Sequence, residues 1–206
     1  AIGLLYIWNQ GFWRDMTQTL TLVLTSSLIA LVIGVPLGIW MAKSKVFAVI
    51  NKPILDFMQT MPAFVYLIPA VAFFGIGMVP GVIASVIFAM PPTVRMTNLG
   101  IRQVPNDLIE AADSYGSTGW QKLFKVQLPL AKSTLMAGVN QSMMLSLSMV
   151  VIASMIGAMG LGNKVYFAVG RNDAGGGFAA GLAIVILAII LDRITQAINR
   201  TKVPKS

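Results

Sequence analysis

From Phe57 to Val94 the chain carries no charged side chain. A membrane crossing needs about 20 mostly apolar residues, so this interval fits two crossings better than one. Gly75-Ile76-Gly77-Met78-Val79-Pro80-Gly81 divides it with a short turn. Spans two and three are then expected at residues 57–74 and 82–94. Both contain proline, which membrane helices tolerate. The rest of the chain repeats the pattern. Span one is expected from about Thr19 to Met41, span four from about Ser133 to Gly157, and span five from about Gly175 to Leu191. The fold class that follows is an all-α integral membrane protein, a polytopic bundle of about five spans.

Composition agrees. Of 206 residues, 56% are hydrophobic and 11% charged, where a soluble domain carries about a quarter charged residues. No cysteine or histidine is present, which excludes disulfides, thiolate chemistry and His-centred metal or catalytic sites. No catalytic residue and no metal site is expected. The net charge of +8 might suggest nucleic acid, but the basic residues flank apolar spans. A lipid membrane, not nucleic acid, is the expected partner.

Charge also orients the spans. Lys43, Lys45 and Lys52 fall between spans one and two. Arg95, Arg102, Lys122, Lys125 and Lys132 fall between spans three and four. Arg193, Arg200, Lys202 and Lys205 follow span five. Alternating spans place these twelve on one side and only Arg14, Lys164 and Arg171 on the other. The basic side is cytoplasmic. Residues 1–16 then read as the end of an upstream membrane segment with an external linker. Residues 197–206 read as a basic cytoplasmic tail.

The cytoplasmic loop 104–132 between spans three and four is the most informative stretch. Pro105 suits the start of a helix, and Asp107 its positive end. Leu108, Ala111, Ala112 and Tyr115 share one helical face. Gly116 is a natural C-terminal stop. Thr118 with Gln121 reads as the capping box of a second short helix bearing Trp120, Leu123 and Phe124. Leu128-Pro129 is expected to end that helix and launch span four. Two short amphipathic helices of this kind fit a handle for a separate motor or, on generic features alone, a helix pair lying on lipid headgroups.

The spacing Glu110-Ala111-Ala112, three residues, Gly116, nine residues, Val126, one residue, Leu128-Pro129 resembles the EAA loop of ABC importer permeases. Val126 stands where that pattern usually has Ile. The resemblance implies the type I importer fold over residues 17–196, used as a homodimer. It implies that Glu110, Ala111, Ala112, Gly116, Leu128 and Pro129 couple the chain to a cytoplasmic ATPase subunit. That partner, not this chain, binds ATP and Mg²⁺, because this chain has no Walker motif. No cofactor is expected here, and the chain is expected to be a transport subunit rather than an enzyme.

Two more stretches, Gln59-Thr60-Met61-Pro62-Ala63-Phe64-Val65-Tyr66-Leu67-Ile68-Pro69 and residues 148–162, resemble the glycine betaine/proline betaine branch of that family. The resemblance implies an extracellular or periplasmic binding protein as a further partner and a bacterial cell membrane as the location. It implies import of a quaternary-ammonium osmoprotectant by alternating access. Choline, proline or another small solute, and an ATP-independent channel or carrier, stay open at this point. Quaternary ammonium groups are held by aromatic faces, and polar groups at membrane depth tend to face a bundle interior or a wet cavity. Gln59, Phe64, Tyr66, Gln141, Met144 and Ser148 are the candidate pathway residues on those grounds. Helix packing is the competing role for each.

Overall fold

A computed structural model describes residues 2–200. Lys202 and Lys205 of the expected tail lie outside the described residues. Among the described residues every regular element is helical. In order they are α1 (Ile2–Asn9), α2 (Trp13–Lys43), α3 (Lys45–Thr60), a 3₁₀ turn (Ala63–Tyr66), α4 (Leu67–Phe74), α5 (Met78–Arg102), α6 (Asn106–Ser114), α7 (Gly119–Lys122), a π turn (Leu123–Gln127), α8 (Leu128–Ser154), α9 (Leu161–Gly170) and α10 (Ala174–Arg200). Among the described residues four helices are long and apolar enough to cross a membrane, five if the bent pair Lys45–Thr60 with Ala63–Phe74 counts as one broken span.

Span two departs most from expectation. Lys43 ends α2, and Lys45 and Lys52 lie in α3, with only Ser44 between the two helices. Its Oγ accepts from Phe47 N–H at 3.3 Å and starts a new helix at once. The span then bends by 107° between Thr60 and Ala63. Pro62 is the cause: its ring holds Met61 extended, at φ −67° and ψ 132°.

Span three is longer than expected. The turn narrows to Gly75–Gly77, both glycines at positive φ. Pro80 then falls in the first turn of α5, where its missing N–H costs no bond. Between the fourth and fifth spans a further helix, α9, precedes α10. The glycine run 175–177 lies inside α10 because Asp173 Oδ1 caps it, accepting from Gly176 N–H at 2.9 Å.

The helix after Thr118 does not stop at Leu128-Pro129. It continues from Gly119 to Ser154. Pro129 offers no N–H to the Lys125 carbonyl, and its ring would crowd that oxygen. The turn before it widens to π, with Leu128 N–H donating to the Leu123 carbonyl five residues back. Proline therefore deforms the helix here without breaking it.

The bundle closes through small residues. A Cβ on Gly38 of α2 would lie 2.5 Å from Thr97 Cβ and 2.7 Å from the Val94 carbonyl oxygen of α5. A Cβ on Gly138 of α8 would lie 2.7 Å from Met96 Cβ of α5. Helix backbones meet most closely at such sites in lipid. Met16, Leu22, Val23, Leu147, Val150, Leu161 and Leu187 form the largest core, joining α2, α8, α9 and α10. The expected external linker also joins the bundle: Ile7 of α1 is fully buried, and Tyr6 Oη donates to the Ala179 carbonyl at 3.2 Å.

Overpacking at such a contact costs about 1–3 kcal/mol. Gly38→Val should lower the thermal midpoint of the purified protein in detergent. Gly181→Val in α10, where a Cβ meets nothing within 4 Å, should leave it nearly unchanged.

Candidate coupling loop and translocation face

The cytoplasmic loop forms a knob whose helix buries nothing. No residue of α6 is buried, and Tyr115 just beyond it is 91% exposed. Glu110 and Ala111 point into solvent and Ala112 is half-buried. An apolar face left this open marks a surface for another protein or for the membrane. Gly116 fixes where the helix ends. Its φ is +76°, and a Cβ there would meet nothing within 4 Å. The requirement is therefore conformational, not spatial. Ser117 N–H donates to the Ala112 carbonyl at 3.0 Å, the long bond of a Schellman ending. Ala112 thus helps to close the helix as well as to present a small side chain.

The knob is fastened to the helix that follows. Thr118 and Gln121 form the expected capping box, with Thr118 N–H donating to Gln121 Oε1 at 2.9 Å and Gln121 N–H to Thr118 Oγ1 at 3.4 Å. Lys122 Nζ reaches both oxygens of Asp113, at 2.6 and 2.7 Å. Leu123, 1% exposed, anchors the π turn in a small core with Ile101 and Ala131. Leu128 and Pro129 sit inside the continuous helix and connect knob to span.

The membrane part of α8 has two unlike faces. Ser142 Oγ donates to the Ala89 carbonyl at 2.9 Å, and Ser27 Oγ donates to Ser146 Oγ at 3.3 Å. Asn140 Nδ2 donates to Asp192 Oδ1 of α10 at 2.9 Å. These polar groups tie helices together. Gln141 and Ser148 lie on the other face and are exposed, with Met144 half-buried between them. Ser148 Oγ donates only to the Met144 carbonyl of its own helix, at 3.0 Å. A polar stripe facing outward from a membrane helix demands water or another chain.

The remaining pathway candidates lie around the bend of span two. Gln59 is exposed at the end of α3, and Phe64 is 53% exposed in the 3₁₀ turn. Tyr66 turns the other way. It is 5% exposed, its hydroxyl donates to the Met58 carbonyl, and its ring meets Phe88 edge to face at 5.8 Å. In this conformation Tyr66 staples the bend and offers no face to a solute.

Residues 34–203 match the family described as the binding-protein-dependent transport system inner membrane component. The chain belongs to that family. It is 84% identical over 200 residues to the glycine betaine/carnitine transport permease protein GbuB of Listeria monocytogenes serotype 1/2a (strain 10403S), an alignment covering 97% of this chain and 71% of that one. It is 64% identical over 201 residues to the glycine betaine transport system permease protein OpuAB of Bacillus subtilis (strain 168), covering 98% and 71%. An inward-facing structure of the MetNI methionine ABC transporter superposes with a TM-score of 0.81 at 24% identity, over 92% of this chain and 96% of that one. That likeness is one of fold, the type I importer fold expected from the EAA loop.

This inner-membrane permease is a transport subunit, and membership in a binding-protein-dependent family implies an ATPase subunit and a solute-binding protein beside it. Sequence reasoning missed the Asp113–Lys122 pair. The opposite charges either side of the Gly116 turn were the available signal. It also missed Asn140 with Asp192, which no local spacing connects.

A partly exposed ion pair adds little stability, so charge exchange tests whether this bridge between α6 and α7 orients the knob. Asp113→Lys or Lys122→Asp alone should reduce ATP-driven transport. The double exchange should recover a large part of it at an unchanged thermal midpoint.

Proposed function

We propose that this permease imports glycine betaine or a related quaternary-ammonium osmoprotectant by alternating access, as a homodimer whose partner ATPase binds ATP and Mg²⁺. The names of its relatives support the cargo. The exposed polar stripe of α8 supports the second copy, because Gln141 and Ser148 would otherwise meet lipid.

One observation carries the mechanism. A single continuous helix, Gly119 to Ser154, joins the knob at its cytoplasmic end to the Gln141–Ser148 stripe in the membrane. Closure of the ATPase pair pulls on α6 through Glu110, Ala111 and Ala112. The Schellman ending at Gly116 and the Asp113–Lys122 pair pass that motion to α7. The α7–α8 helix then re-aims the stripe from cytoplasm to exterior. Solute delivered outside by the binding protein crosses between copies, past Gln141, Ser148 and the exposed ring of Phe64. Weak contacts suit such a path, since selectivity resides in the binding protein and tight sites slow release.

The test is uptake of labelled glycine betaine, carnitine, choline and proline into vesicles holding the permease, its ATPase and its binding protein. ATP-dependent uptake of a quaternary amine is expected. Uptake without ATP overturns the mechanism, and no quaternary-amine uptake overturns the cargo. In the same system Gly116→Ala forces a left-handed alanine, costing about 1–2 kcal/mol at the helix end. It should lower transport per ATP hydrolysed without shifting the melting of the bundle.

The chain has no cysteine, so single cysteines report cleanly on the path. Gln141→Cys and Ser148→Cys should react with a charged thiol reagent at a rate that changes when ATP is added. Val32→Cys, on the outward apolar face of α2, should stay unreactive throughout.

A further inference from the structure

Near the cytoplasmic ends of the spans, α2 and the α7–π segment leave an open crevice of about 420 Å³ between them. Pro36, Ile39 and Trp40 form one wall, and Trp120, Leu123 and Phe124 the other. Its lining is almost wholly hydrocarbon and aromatic. A pocket for a soluble solute pairs an apolar wall with a few converging polar groups, and here only Lys43 supplies one.

Two observations say what fills it. First, the crevice continues a lipid-facing stripe. Leu28, Val32, Pro36 and Trp40 follow one another at four-residue spacing on α2 and are all exposed. No charge interrupts the helix between Leu28 and Trp40. Acyl chains covering that stripe reach the crevice without crossing a polar surface. Second, the mouth carries a cation at headgroup level. Lys43 Nζ stands 5.6 Å from the centre of the Trp120 ring. Aromatic rings beside a basic residue mark the level where a chain meets its headgroup.

We propose that this crevice is a phospholipid site, with an acyl chain between α2 and the α7–π segment and the lipid phosphate on Lys43. In one wall Trp40 stacks on Phe47 behind it, at 4.2 Å, and in the other Trp120 stacks on Phe124, at 5.6 Å. The bound chain touches the α7–π segment, which on the mechanism proposed above carries the knob's motion into the membrane.

The test places p-benzoylphenylalanine at Phe124, and separately at Val32, in the permease assembled with its ATPase. The vesicles contain dioleoylphosphatidylcholine and dioleoylphosphatidylglycerol. After irradiation, the labelled peptides are weighed by mass spectrometry. A phospholipid adduct at residue 124 is expected. It should be lost in Ile39→Phe, which fills the crevice, and fall several-fold in Lys43→Glu. The adduct at residue 32 should persist in both variants, which also shows that each is inserted and folded. If Ile39→Phe fails to assemble, Lys43→Glu carries the test alone. An ATPase peptide attached at residue 124, or no lipid there while residue 32 is labelled, overturns the proposal. So does a lipid adduct at 124 that neither variant changes.

Discussion

Inside a bilayer, lipid tails satisfy apolar side chains as well as a neighbouring helix does, so burial alone does not draw spans together. Close backbone approach and a few interhelical hydrogen bonds must do it. The α2–α5 and α5–α8 contacts rest on this. Gly38 leaves no room for a Cβ against Thr97, and Gly138 none against Met96. Ser142 to Ala89, Ser27 to Ser146 and Asn140 to Asp192 add bonds between helices. With that inner frame closed, Gln141 and Ser148 on the outward face of α8 stand apart from it.

The same logic explains the knob. A helix in water that buries no residue gains little from packing and needs its ends secured. The left-handed Gly116, the Thr118–Gln121 box and the Asp113–Lys122 pair supply that local order. Pro129 might have cut the knob off from the membrane, but the π turn absorbs it and keeps one helix from Gly119 to Ser154. A rigid handle on an unbroken lever is what an external motor needs.

Much of this was legible in the chain itself. Uncharged intervals announced the spans, and the EAA spacing pointed to the family. The helix bounds were less legible where one residue overrode composition. Ser44 capped a helix through the basic residues between spans one and two. Pro62 bent span two, and Asp173 capped α10 ahead of its glycine run. Each is a local rule that outweighs average hydropathy. Among the pathway candidates, Gln141 and Ser148 share an exposed stripe, while Tyr66 is turned inward by its bond to the Met58 carbonyl. The sequence marks all three as polar or aromatic at membrane depth and does not distinguish which way they face.

The sequence by itself determined that the chain is a helical membrane protein, because transfer from water to lipid depends on composition along the chain. It also determined where the knob ends, since Gly116 and Thr118 act within a few residues. Only the tertiary structure decided which side chains face the frame and which face outward. Those choices depend on distances between residues far apart in the chain, such as Gly38 against Thr97, Asn140 against Asp192 and Trp120 against Lys43.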